Sequence, residues 1–169
     1  MRAPEAAAVT AVASSDADRD AGDRAPEDDG FDAPLPLVLP ELTVVPDAQQ
    51  VFMFSAVTWN RHRIHYSREA AQREGLPDIV VQRGLIGNFF ARHAQRWMGS
   101  AGTVRRLAWQ VHASAFPGQA LHCRGAVTER LPRPPGDGDV WLLLQSRLED
   151  TDGRLVASAE GELCIHAPS

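Results

Sequence analysis

The stretch Leu85-Ile-Gly-Asn-Phe-Phe-Ala-Arg-His-Ala-Gln-Arg-Trp-Met98, with Gly99 and Gly102 behind it, decides the fold. Leu85, Ile86, Phe89, Phe90, Ala94, Trp97 and Met98 recur at helical spacing. They cover so much of the circumference that the helix is expected to be buried rather than laid on a surface. Beyond the glycines the period changes to two. Leu107, Trp109, Val111, Ala113 and Ala115 alternate with Arg106, Gln110, His112 and Ser114, and Leu121, Cys123, Gly125 and Val127 alternate with His122, Arg124 and Thr128. Val140, Leu142, Leu144 and Leu148 oppose Gln145, Arg147 and Glu149; Leu155, Ala157, Ala159, Leu163 and Ile165 oppose Arg154, Ser158, Glu160 and Glu162. Each run predicts a strand with one apolar face. Asp152-Gly153 predicts a hairpin between the last two, and the proline-rich Leu131–Asp139 stretch a loop before them.

Upstream of the helix, Val51–Thr58 is apolar on both faces and reads as a buried strand. Ser67 can cap a short helix through Gln72, ended by Gly75 and Pro77. Residues 33–50 alternate proline with aliphatics, which suits an extended segment along a domain edge. The expected order is a strand, a short helix, the long helix and four antiparallel strands. One sheet face must cover the helix, so the class is α+β.

The 169 residues carry 17 basic and 22 acidic side chains, for a net charge of −5, and every basic residue is arginine. The total hides a split. Residues 1–32 hold nine acids against three arginines, whereas the rest is close to neutral. Residues 1–32 are therefore expected to be a disordered acidic leader, a solvated segment or a docking segment for a partner enzyme, and residues 33–169 the folded domain. The short, weakly apolar Ala6–Ala13 run does not read as a signal-peptide core. No apolar run approaches the ~18 residues of a membrane span, and a near-neutral body without a basic stripe disfavours nucleic acid. Two cysteines, Cys123 and Cys164, fit a reducing cytosol and small core positions better than a disulfide framework. There is no Gly-x-Gly-x-x-Gly, phosphate loop or Gly-x-Ser-x-Gly, so neither nucleotide cofactor nor serine nucleophile is expected.

The densest polar cluster is Phe54-Ser-Ala-Val-Thr-Trp-Asn-Arg-His-Arg-Ile-His-Tyr-Ser67. Its Ser55–Tyr66 part resembles the motif Ser-Ala-x-Thr-Phe-Asn-x-His-Arg-Ile-His-Tyr of the MaoC-like hydratase/dehydratase family. Within that family it is most similar to the 3-hydroxyacyl-thioester dehydratases and mesaconyl-CoA-type hydratases. The resemblance extends from about Leu35 to about Glu129. It implies a single hot dog fold, an antiparallel sheet wrapped round one long helix. It also implies hydro-lyase chemistry on acyl thioesters of coenzyme A or acyl carrier protein, with no cofactor. A homodimer is expected because a one-sheet domain exposes an edge and an apolar acyl tunnel unless paired.

In the wider family the motif is Asp-x-Asn-Pro-x-His. Aligned on the last histidine, Asn60 takes the Asp place, His62 the Asn place and His65 the His place. An amide cannot accept the proton that a carboxylate would, so His65 is expected to carry proton transfer in both directions. Asn60 would hold water or hydroxyl, and His62 is a second base or a packing residue. The resemblance also places an oxyanion donor at the start of the long helix, at Val80-Val-Gln-Arg-Gly-Leu85. If Gln82 fills the usual histidine place, Arg83 stands where glycine is expected; if Gly84 is the match, a residue has been added. Free N–H groups there form an enolate site under either alignment.

Other roles compete with these readings. The His62-x-x-His65 pair suggests zinc, but without a close cysteine pair no metal is expected. Phe89, Phe90 and Trp97 are helix core that an acyl pocket could share. Arg105, Arg106 and Arg124 either meet a phosphate-bearing carrier or form a solvated strand face. The rivals to hydration/dehydration are an isomerase or thioesterase on a carrier-bound chain and a non-catalytic hot dog subunit.

Overall fold

A computed structural model describes residues 33–132 and 138–166; the acidic leader and most of the proline-rich loop lie outside them. The elements are β1 (Leu37–Val38), β2 (Leu42–Val44), α1 (Ala48–Val57), a 3-10 turn (Arg63–His65), α2 (Arg68–Arg73), α3 (Arg83–Met98), β3 (Gly102–Val111), β4 (Leu121–Arg130), β5 (Val140–Asp150) and β6 (Leu155–Ile165). The sheet runs β1-β4-β5-β6-β3, with β2 also on β4, and all described pairings are antiparallel. The sheet wraps round α3, which is the hot dog arrangement.

Alternation sets the sheet. Leu142, Leu144 and Leu148 of β5, Leu121, Cys123 and Val127 of β4, and Ala157, Ala159 and Leu163 of β6 are buried. The N-terminal half of α3 packs Leu85, Ile86, Phe89 and Phe90 against Leu121, Leu148 and Ala157. Its C-terminal half packs Ala94, Trp97 and Met98 against Val127, Leu142 and Leu163. The hairpin forms where Asp152-Gly153 predicts it: Gly153 has φ +78° and donates to the Asp150 carbonyl at 3.0 Å. Helix α3 approaches β3 closely at Gly87, where an added Cβ would lie 2.6 Å from the Trp109 indole.

The proline-aliphatic segment behaves as expected up to Val44. Leu37 pairs with Val127 and Leu42 with Cys123, strapping it along β4. His93 on α3 anchors the strap by donating through Nε2 to the Pro40 carbonyl at 2.8 Å. Its other nitrogen then accepts from the Cys123 thiol at 3.4 Å. Burial pushes that thiol up to about 12, so it keeps its proton.

Two expectations fail. Val51–Thr58 is not a strand; residues 48–57 form α1. Asp47 caps this helix by accepting from the Gln50 N–H at 2.6 Å. Only Val51 and Ser55, four residues apart, are buried, whereas Phe52 is 53% and Val57 76% exposed. A short run that is apolar all round carries no period, and the cap three residues beyond Val44 decides it. The strand expected through Ala115 also ends early, at Val111. Ala113–Ala115 instead turn toward α3, and the Ala115 carbonyl accepts from the Val81 N–H at 2.9 Å.

Candidate active site

Helix α1 ends in a Schellman-type turn: Asn60 N–H donates to the Ser55 carbonyl at 2.9 Å and Trp59 N–H to the Ala56 carbonyl at 3.3 Å. Trp59 takes the left-handed position, φ +53°, where glycine is the usual residue. The turn aims Asn60 back toward the start of α3. Its Oδ1 accepts from the His62 N–H at 3.1 Å, so the group it can offer elsewhere is its NH2.

His65 closes the 3-10 turn and is fixed by a loop fifteen residues on. Its Nδ1 lies 2.7 Å from the Val80 carbonyl. A carbonyl only accepts, so in the neutral ring Nδ1 carries the hydrogen and Nε2 the lone pair. The same loop residue donates its N–H to the Ile64 carbonyl at 3.0 Å. Behind it, Arg68 grips Asp78 through two bonds of 2.8 and 3.2 Å, and Asp78 accepts from the Ile79 N–H at 2.7 Å. The Arg68 guanidinium and the backbone donor hold the Asp78 carboxyl below its ordinary value.

The third part is the start of α3. The first helical bond is Ile86 N–H to the Gln82 carbonyl at 3.0 Å, so the N–H groups of Arg83, Gly84 and Leu85 precede any helical acceptor. Gln82 is the cap residue but does not cap with its side chain. Its Nε2 reaches into α1, to the Val51 carbonyl at 2.6 Å and Ser55 Oγ at 2.7 Å. Gln82 Oε1 is buried without a partner among the described residues, leaving an acceptor for a water or a substrate N–H. Gly84 has the Phe54 ring against it; an added Cβ would lie 3.0 Å from Phe54 Cζ.

These parts share one cleft of about 550 Å³, lined by Phe54, Asn60 and His65 on one side and by Gln82, Arg83 and Gly84 at the helix start. Val111 and Ala113–Ala115 form the remaining wall. An imidazole in a fixed tautomer therefore shares one cleft with the positive end of a sixteen-residue helix dipole. Proton abstraction next to a carbonyl, with the resulting oxyanion held by backbone N–H groups, is the chemistry this suits.

His62 does not join the cleft. It is exposed, outside the lining, with its ring centroid 6.0 Å from that of His65. Arg83 lines the cleft, but its guanidinium bonds to the Trp109 carbonyl at 3.0 Å and lies over the Trp109 ring, while Trp109 Nε1 donates to the Arg83 carbonyl at 2.9 Å. The arginines considered for a phosphate carrier are engaged elsewhere. Arg106 pairs with Glu162, Arg124 with Glu41 and Glu149, and Arg105 lies over Trp141. The role of Val80 was not foreseen, because an orienting backbone carbonyl leaves no side-chain signature; nor was the Arg68–Asp78 clamp, whose partners are ten residues apart.

The family model for hydroxyacyl-thioester dehydratase type 2 matches residues 19–117 and so begins inside the acidic leader. A mesaconyl-C(4)-CoA hydratase of Chloroflexus aurantiacus is 49% identical over 61 residues, 32% of this chain and 22% of that protein. The matched stretch thus spans about a fifth of the length of that relative. Among solved structures, the MaoC-like dehydratase from Rhodospirillum rubrum superposes with a TM-score of 0.71 at 13% identity, covering 82% of this chain and 97% of that one. The ChsH1-ChsH2 complex from Mycobacterium tuberculosis gives 0.66 at 21% identity, covering 78% and 97%. At such identities the structural likeness speaks for the fold. With more than half of its residues matched, this chain belongs to the hydroxyacyl-thioester dehydratase type 2 family.

Proposed function

We propose that the protein interconverts an enoyl thioester and the corresponding 3-hydroxyacyl thioester, as a hydro-lyase with a single base. The observation that carries this is the fixed tautomer of His65, whose bare Nε2 lies in the same cleft as the free N–H groups of α3. In dehydration His65 Nε2 takes the C2 proton. The electron pair moves into the thioester carbonyl, whose oxygen is held by N–H groups at Arg83–Leu85. The enolate then collapses, forming the C2–C3 double bond as the C3–O bond breaks. The imidazolium returns the same proton to the departing hydroxyl, which leaves as water. Asn60 Nδ2 donates to that oxygen and keeps it on the His65 side. Hydration is the reverse, and both groups enter or leave from one face. Such acid-base help contributes roughly 10²–10⁴-fold, and an oxyanion donor roughly 10²–10³-fold.

The base and donors in one cleft support an enzyme over a non-catalytic subunit. An isomerase or thioesterase would use the same oxyanion site, but Asn60 is placed to hold a hydroxyl or water. The carrier is coenzyme A or acyl carrier protein.

The working form is a homodimer. Strand β3 ends the sheet, and its far edge has no partner over Gly102–Val111 among the described residues. A long open edge of this kind invites a second copy. Such a copy would adjoin the Val111–Ala115 wall of the cleft. The domain boundary is kept near residue 33, supported by the strap pairing from Leu37. No described helix is long and apolar enough to cross a membrane, and two free buried thiols suit a cytosolic setting.

The test is turnover on a panel of enoyl-CoA and enoyl-carrier thioesters, read as loss of the conjugated thioester absorbance. Formation of the 3-hydroxyacyl product on at least one member is expected. Tight thioester binding with no turnover on any member would establish the subunit reading instead.

A further inference from the structure

We propose that Asp139, Cys164 and His166 form a binding site for one divalent transition metal, zinc by ligand preference, on the outer face of the sheet away from the cleft. Cys164 lies near the end of β6, His166 directly follows that strand, and Asp139 directly precedes β5. Cys164 and His166 are two residues apart, a spacing that on extended backbone sends both side chains to one face. The β5–β6 register pairs Val140 with Ile165 and Trp141 with Cys164, which sets Asp139 opposite His166. The His166 backbone is held independently, by donation of its N–H to the Ala101 carbonyl at 2.7 Å.

The spacing suits a metal. Cys164 Sγ lies 3.2 Å from Asp139 Oδ2 and 4.0 Å from His166 Nδ1, and His166 Nδ1 lies 3.4 Å from Asp139 Oδ2. Tetrahedral zinc, with bonds of about 2.0–2.3 Å to nitrogen, oxygen and sulfur, separates its ligands by about 3.3–3.6 Å. The observed triangle therefore closes round an ion with movements of a few tenths of an ångström. A thiolate, an imidazole and a carboxylate form a ligand set for zinc rather than for magnesium or calcium. Cys164 is buried while His166 is exposed, so a fourth, water-filled position would open on the His166 side.

The surroundings add outer support. Arg105 Nη2 lies 4.0 Å from Cys164 Sγ, with its guanidinium over the Trp141 ring. That places an N–H donor beside the sulfur, as outer hydrogen bonds do for metal thiolates. The alternative is a closed set of thiol, imidazole and carboxylate hydrogen bonds with no affinity for metal.

The full chain is stripped with a chelator, dialysed, and titrated with Zn²⁺ against a chromogenic competitor and separately with Co²⁺. One equivalent is expected, and Co²⁺ should give a thiolate-to-cobalt charge-transfer band, which reports the sulfur ligand directly. Cys164→Ser should abolish the band and His166→Ala should weaken binding at least tenfold, with circular dichroism confirming that each variant folds. His62→Ala should leave binding unchanged. Absence of the band in the parent, or binding that survives Cys164→Ser, would overturn the site. Loss of binding in His62→Ala would move the metal to the His62/His65 pair and overturn it equally.

Discussion

Replacing Gly87 by alanine should destabilise the protein, although alanine is the better helix former. A Cβ at this position meets Trp109 Cε2 and Cζ2 at 2.6 Å, a distance that real Cβ atoms essentially never show, and Cη2 at 3.0 Å. The indole cannot simply swing away, because its Nε1 donates to the Arg83 carbonyl and its ring carries the Arg83 guanidinium. Overpacking of this kind costs about 1–3 kcal/mol. Gly→Ala in a helix interior returns about 1 kcal/mol. The expected net loss is about 1 kcal/mol, or roughly 2–6 °C in Tm for a domain of this size. Thermal unfolding followed by far-ultraviolet circular dichroism reads it directly. In a Trp109→Leu background the clash is gone, so Gly87→Ala should raise Tm there, a sign reversal that isolates the α3–β3 contact. A rise in Tm for Gly87→Ala in the parent, or the same shift in both backgrounds, would refute the close approach.

Trp59 holds a left-handed backbone while 77% exposed. Trp59→Gly should therefore stabilise by about 1 kcal/mol, read as the chemical denaturation midpoint. Burial holds the pKa of His93 below its ordinary 6.5, so the folded chain refuses a proton that the unfolded chain accepts. Stability should then be fully present above about pH 6.5 and decline as pH falls from there toward the folded pKa; urea unfolding across this range should show that slope in the parent and a flatter one in His93→Gln. A single base on one face predicts syn addition: hydration in D2O should place deuterium at C2 and hydroxyl at C3 from the same side. Proton NMR of the product distinguishes this from the anti isomer, which a separate second base would give.

The period-two runs from Leu107 onward and the circumferential apolar pattern of α3 were legible because each buries a face whose period reports its geometry. The stretch Val51–Thr58 misled for the opposite reason. Its apolar residues are spread round a helix whose outer face, at Phe52, Met53 and Val57, remains exposed. The informative residue was Asp47, whose side chain caps that helix. Within the site, Asn60, His65 and Gly84 were legible through a motif, and the structure brings them to one cleft. His62, from the same motif, is exposed and does not line it. The role of Gln82 was not legible, since its amide nitrogen reaches back thirty-one residues to Val51. The Asp139–Cys164–His166 cluster was equally hidden, because strand register is what sets Asp139 beside the Cys164–His166 pair.

In the proposed reaction His65 alone moves the proton in hydration and dehydration. The most direct test is the steady-state rate of His65→Ala against the parent, on whichever enoyl thioester the parent turns over best, with folding checked by circular dichroism. The expected result is a fall in kcat of roughly 10²–10⁴-fold at little-changed KM. A folded His65→Ala protein that turns over within a few-fold of the parent would contradict it.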